Sequence, residues 1–195
     1  MMCKPTRYLT TVSILSAFAV ILMYFEVPVP LMPAFLKLDA SELPAIIGAF
    51  VLGPAAGVGI EFIKNLLHAF NSQTMGIGEM ANFLVGVCFI LPAGWLYRKY
   101  PSRSGAAWAL LAGTVAMVAA ASALNYWVLL PVYQQVLHFP MEQVVAMGTA
   151  ANPSVVDLRS FIALAIAPFN LLKGFMISLF TLAIYRKITP ILCGN

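Results

Sequence analysis

The chain has 195 residues, 62% of them hydrophobic and only 9% charged, with a formal net charge of +4 and a mean hydropathy of +0.91. A soluble domain carries about 25% charged residues, so there is too little charge here to cover a water-facing surface, and an all-α integral membrane protein follows. Most Lys and Arg fall at segment ends and they form no stripe, which argues against nucleic acid and fits positive-inside bias.

A membrane helix needs about 20 apolar residues, so the length allows about six spans in one transmembrane domain, 1–195, with no separate soluble domain. The first predicted span is 8–25. Lys4 and Arg7 precede it, as in a signal peptide, but it runs into VPVPLMP with no small-residue cleavage site and reads as a retained span. Pro28, Pro30 and Pro33 make the next stretch a linker, since proline cannot sit in a helix interior. A short second segment, 41–52, is broken by Gly53 and Pro54, and a third covers 55–70. NSQTMGIG is a turn-rich connector. The fourth segment is 79–97 and the fifth 106–130. The more polar stretch 131–157 is expected to hold a short amphipathic helix at 141–150, before the sixth span, 158–187. Six crossings put Lys4 and Arg7, then Arg98, Lys99 and Arg103, then Arg186 and Lys187 on one side, which makes that side and both termini cytoplasmic.

Asn170 and Lys173 stand at i, i+3 on the sixth segment and share a face. Charge at that depth costs roughly 3 kcal/mol on insertion scales, and intramembrane ionisable groups are functional by default. The pair is therefore read as a ligand contact. The alternative is an internal hydrogen bond or ion pair, with Glu61 or Glu79 as partner. Asn125 near the outer end of the fifth segment has two readings, a ligand-reading amide beside Tyr126 and Trp127 or part of an interfacial aromatic belt. Glu61, Lys64, Asn65 and His68 form an inward polar stripe in which Glu61 and Lys64 neutralise each other. A lone His with one carboxylate is too few ligands for a metal site.

Glu79 and Asn82 share a face at the start of the fourth segment, where the helix dipole favours Glu79 anyway. Asp39-Ala-Ser-Glu42 fits a capping box, and Phe35, Leu36 and Leu38 beside it are placed to lid a pocket. Thr10, Ser13 and Ala17 make a small-residue face on the first span, for internal packing or for docking another membrane subunit. There is no phosphate-binding G-x-x-x-x-G-K-[ST] loop, no H-E-x-x-H and no convincing catalytic set. Cys3, Cys88 and Cys193 lack framework spacing, and the two near the ends are expected in a reducing compartment.

The strings FLKLDASELPAIIGAFVLGPAAGVGIEFIKNLLH, GIGEMANFLVG and PFNLLKG, in this order, resemble the riboflavin-binding S component of energy-coupling factor (ECF) vitamin transporters over nearly the whole chain. The resemblance implies a six-helix protein of the cell membrane that captures riboflavin from outside, as cargo and not as a cofactor. It implies no catalysis and no energy source of its own. The partners it implies, besides lipid, are a transmembrane coupling subunit and two ATPase subunits; toppling in the membrane releases the vitamin inward. Asn125, Asn170 and Lys173 match positions that reach the isoalloxazine ring, and Leu36, Asp39 and Ala40 match a loop that closes over it. Asn65, Glu79 and Asn82 are added as candidate contacts. Ser13 and Ala17 match a docking motif of two alanines four apart, with Ser13 replacing one alanine. A phosphorylated flavin, FMN, would call on more cations, and Lys37, Lys64, Lys173 and Arg159 are the candidates.

Overall fold

A computed structural model describes residues 5–193 except 31, 34, 35, 73, 137 and 139. Cys3, Lys4 and Phe35, and the side chain of Cys193, lie outside the described residues. Helix α1 is Pro5–Tyr24. The proline-rich linker after it folds into a short antiparallel ladder, β1 (Val27–Pro28) and β2 (Lys37–Leu38), with Val27 opposite Leu38. Helices α2 (Glu42–Leu52) and α3 (Pro54–His68) are joined by Gly53 alone. Gly53 has φ +108°, a conformation side chains resist, and Pro54 opens α3 where a missing N–H is harmless. Helices α4 (Ile77–Lys99) and α5 (Arg103–Leu124) follow.

A π turn (Asn125–Leu129) carries α5 on into α6 (Leu130–Val136). Helix α7 (Met141–Ala151) is the expected amphipathic element. Helix α8 (Leu158–Phe161), a second π turn (Ile162–Ile166) and α9 (Ala167–Cys193) form the last rod. Each π turn ends two residues before a proline, Pro131 or Pro168. A helical proline makes no bond to residue i−4 and its ring clashes with that carbonyl. Here that carbonyl belongs to Trp127 or Leu164, inside the wider turn.

All six predicted segments are helical. Among the described residues, four helical stretches are long and apolar enough to cross a membrane: Thr6–Tyr24, Ile77–Lys99, Arg103–Val136 and Leu158–Pro190. At 1.5 Å per residue α2 is only about 17 Å long and α3 about 22 Å.

One end of the bundle gathers basic residues. Arg7 donates to the Leu192 carbonyl at 3.1 Å, and a side chain at Gly53 would approach Arg98. Phe50 stacks on Tyr97 at 4.0 Å, and both meet the Tyr185 ring edge-on. Two apolar clusters fill the interior. One contains Leu15, Ile46, Ile60, Phe89 and Ile177, the other Leu36, Ala121, Phe161, Ile166 and Phe169. On α9 they meet the helix at Ile177 and Phe169, so Asn170 and Lys173 lie between them.

Candidate functional site

The Lys173 ammonium is buried and held by two carboxylates, Glu42 Oε1 at 2.7 Å and Asp39 Oδ2 at 3.1 Å. Both partners differ from the Glu61 or Glu79 expected for an ion pair. Glu42 Oε1 is shared with Lys64 at 3.3 Å, and Lys64 also meets Glu61 Oε1 at 2.9 Å and donates to Ser41 Oγ at 2.6 Å. The neutralising pair Glu61–Lys64 read from the sequence is therefore present, as one arm of a larger network. Asn65 Nδ2 donates to Glu61 Oε1 at 3.0 Å and to the Glu61 carbonyl at 2.8 Å. The polar stripe of α3 is drawn inward because α2 and α9 bring it opposite charge.

The capping box at Asp39–Glu42 does not form. The N-cap of α2 is Ser41, with no side-chain cap bond. Asp39 Oδ1 instead accepts the Ser41 N–H at 2.8 Å, and Glu42 turns inward to two ammonium groups, a stronger attraction than one backbone N–H. Asp39 lies in the linker. Burial alone would raise its carboxyl, but Lys173, Lys64 and the Ser41 hydrogen bonds outweigh burial and hold it well below the usual carboxylate range. Its contribution to stability is thus full above the unfolded carboxyl value of 3.8 and is lost only as pH falls below it.

Asn125 and Asn170 spend one N–H each on their own helix. Asn125 Nδ2 donates to the Ala121 carbonyl at 2.8 Å and Asn170 Nδ2 to the Ile166 carbonyl at 2.9 Å. Each keeps its amide oxygen and a second N–H for another partner. The two π turns touch each other, which brings the Asn125 and Asn170 regions together beside Leu36, Ile162 and Phe169. Leu36 is buried in that cluster, and half-buried Ala40 leads into Ser41.

Glu79 belongs to a separate polar group. It accepts from Ser72 at 2.7 Å and meets His68 Nδ1 at 3.0 Å, while the Tyr24 ring tilts against His68. Half-buried Asn82, inside α4, makes no side-chain hydrogen bond among the described residues. The structure thus joins Lys173 to Asp39, sets Asn170 on the same helix and Asn125 on the touching π turn in the region of Leu36, ties Asn65 to Lys173 through the ion network, and leaves Glu79 elsewhere. Reading the sequence missed Glu42 and Ser41, whose spacing looked like a helix start. A groove of about 430 Å³ between α7 and the segment that follows it, lined by Met141, Val145, Thr149 and Leu158, shares no residue with these groups.

Thr10, Ser13 and Ala17 are exposed, while Thr11, Leu15, Ser16 and Ala19 form the buried face of α1. The small-residue face therefore points away from the bundle and does not serve internal packing.

The family model "ECF transporter, substrate-specific component" matches residues 7–185. The chain is 39% identical to the riboflavin transporter FmnP of Bacillus subtilis, over 94% of this chain and 93% of that one. It is 35% identical to the riboflavin transporter RibU of Staphylococcus aureus, over 97% and 94%. A solved S component of a bacterial ECF transporter superposes with a TM-score of 0.78 at 33% identity, covering 97% of this chain and 99% of that one.

Proposed function

From a chain that belongs to the substrate-specific components of ECF transporters, and so is a transport protein of the membrane and not an enzyme, we propose a riboflavin-binding subunit that captures the vitamin outside the cell. The observation that carries this reading is the buried Lys173 ammonium bound to Asp39 of the linker, with Asn170 on the same helix and Asn125 on the π turn that touches it, in a chain similar to two riboflavin transporters. A flavin has a flat apolar body and a uracil-like edge that both donates and accepts. Two amides with a free oxygen and a free N–H suit that edge, and Leu36 and Phe169 offer apolar area to the ring.

Charge favours the neutral vitamin over its phosphate ester. Every cation that a phosphate would call on is already engaged. Lys37 pairs with Glu26, Lys64 with Glu42 and Glu61, and Lys173 with Asp39 and Glu42. Arg159 lies against Tyr126 and Asp157. FMN would have to break one of these pairs.

The whole chain then forms one substrate-binding domain, 1–195, of the cell membrane. It crosses six times, through α1, α2, α3, α4, α5–α6 and α8–α9, with the basic end and both termini cytoplasmic. The bundle is bathed in lipid and docks a coupling subunit with two ATPase subunits through the exposed face of α1 at Ser13 and Ala17. Detergent-purified protein should be yellow with the absorbance of bound flavin, or should quench riboflavin fluorescence on titration. A colourless protein that does not quench rejects the reading, and equal affinity for riboflavin and FMN rejects the ligand preference.

A further inference from the structure

The buried ion network is unbalanced. Three carboxylates, Asp39, Glu42 and Glu61, face two ammonium groups, Lys64 and Lys173. Lys64 and Glu61 are 0% exposed and Glu42 is 2% exposed, so water does not screen the surplus negative charge. Among the described residues, the neighbouring elements do not supply the missing cation. Helix α2 brings Glu42, the linker Asp39 and α9 Lys173. Helix α4 presents Gly86 to Glu61. His68 of α3 is turned to Glu79, and Tyr24 of α1 rests on His68.

Hydrogen bonding shows the same deficit. Glu42 Oε2, Glu61 Oε2 and Asn65 Oδ1 are buried acceptors without a donor. They belong to one cluster. Glu42 and Glu61 converge on the Lys64 ammonium, and Asn65 binds the same Glu61 oxygen as Lys64 does. An isolated buried charge costs so much that such groups neutralise instead, and each orphaned buried acceptor adds its own desolvation penalty.

We propose that this cluster is a proton-binding site, with one proton shared by the Glu42–Glu61 pair. The proton cancels the surplus charge and turns one orphan oxygen into an O–H donor. A metal cation suits the site poorly. Three spare oxygens fall short of the roughly six that Mg²⁺ or Ca²⁺ requires, and among the described residues no three His, Cys, Asp or Glu gather as ligands. Because Glu42 also holds Lys173, the proton sets the charge that Lys173 feels. Glu61 is thereby a positioning residue that acts through Lys64 and Glu42. The proton site itself does not depend on the identity of the transported ligand.

Infrared spectroscopy of the purified chain at neutral pH tests it without any ligand. The wild-type protein should show the carbonyl stretch of a protonated, buried carboxylic acid, which disappears in alkaline buffer and is absent from Glu61→Gln and Glu42→Gln. Thermal melts provide a second reading. The folded chain keeps a proton that the unfolded chain releases above the ordinary carboxyl range, so the wild-type melting temperature should fall as pH rises from about 5 to the pH at which the band disappears and level off above it, and Glu61→Gln should flatten that fall. Absence of the band from the wild type overturns the proposal even if neither variant folds. So does a band that survives in both variants, or a melting temperature that responds to sodium and not to pH.

Discussion

Lys173 is the residue on which the site turns, and its two carboxylates give it a double role. Lys173→Met removes a charged donor worth about 1.5–3 kcal/mol, so riboflavin binding should weaken by about ten- to a hundredfold. It also leaves Asp39 buried without its cation, which costs about 3–5 kcal/mol of stability. Adding Asp39→Asn to Lys173→Met should restore much of the melting temperature but not the affinity. Titration calorimetry and thermal melts on the same preparations separate the two roles. If the double variant regains binding, the amine is only a counter-ion for the linker. The depth of Lys173 in an apolar run was legible in the sequence. Its partners were not, because Asp39 and Glu42 stand more than a hundred residues earlier in a pattern that also spells a helix start.

At the scale of elements the chain uses helix-start patterns and prolines selectively. The capping box expected at Asp39–Glu42 is missing, whereas a real one closes at Asp157–Ser160, where Asp157 Oδ1 accepts the Ser160 N–H at 2.7 Å. There Asp157 is exposed and finds no buried ammonium to compete. The prolines carried a readable signal for the two π turns, but Pro92 lies inside α4 without one, so proline alone does not specify a widened turn. Helices α3 and α4 approach where Gly86 makes room. A Cβ at Gly86 would come within 2.5 Å of Glu61 Oε1. Gly86→Ala should therefore push Glu61 off Lys64 and cost about 1–3 kcal/mol, as overpacking does. An unchanged melting temperature would show that the carboxylate has slack. Gly59, beside which a Cβ would meet nothing within 4 Å, is the control position.

The whole molecule has a basic end, an opposite end that carries the linker and α7, and an α1 whose small-residue face looks outward. Ser13→Trp should block assembly with the energising subunits and abolish uptake in cells, while purified protein still binds riboflavin with parental affinity. Uptake that survives this change would move the docking surface elsewhere.

Sparse charge and long apolar runs were enough to determine a membrane-embedded helical chain, because backbone groups in lipid must pair within their own helix. Basic residues at segment ends indicated which ends lie together, and the depth of Lys173 marked the candidate site. The flavin came from the resemblance of a few strings and not from composition or spacing. Only the tertiary structure decided how the charges pair. A buried ion takes whichever opposite charge the fold brings within reach, and the fold set Glu42 of α2 between Lys64 of α3 and Lys173 of α9. No spacing along the chain encodes that meeting of three helices.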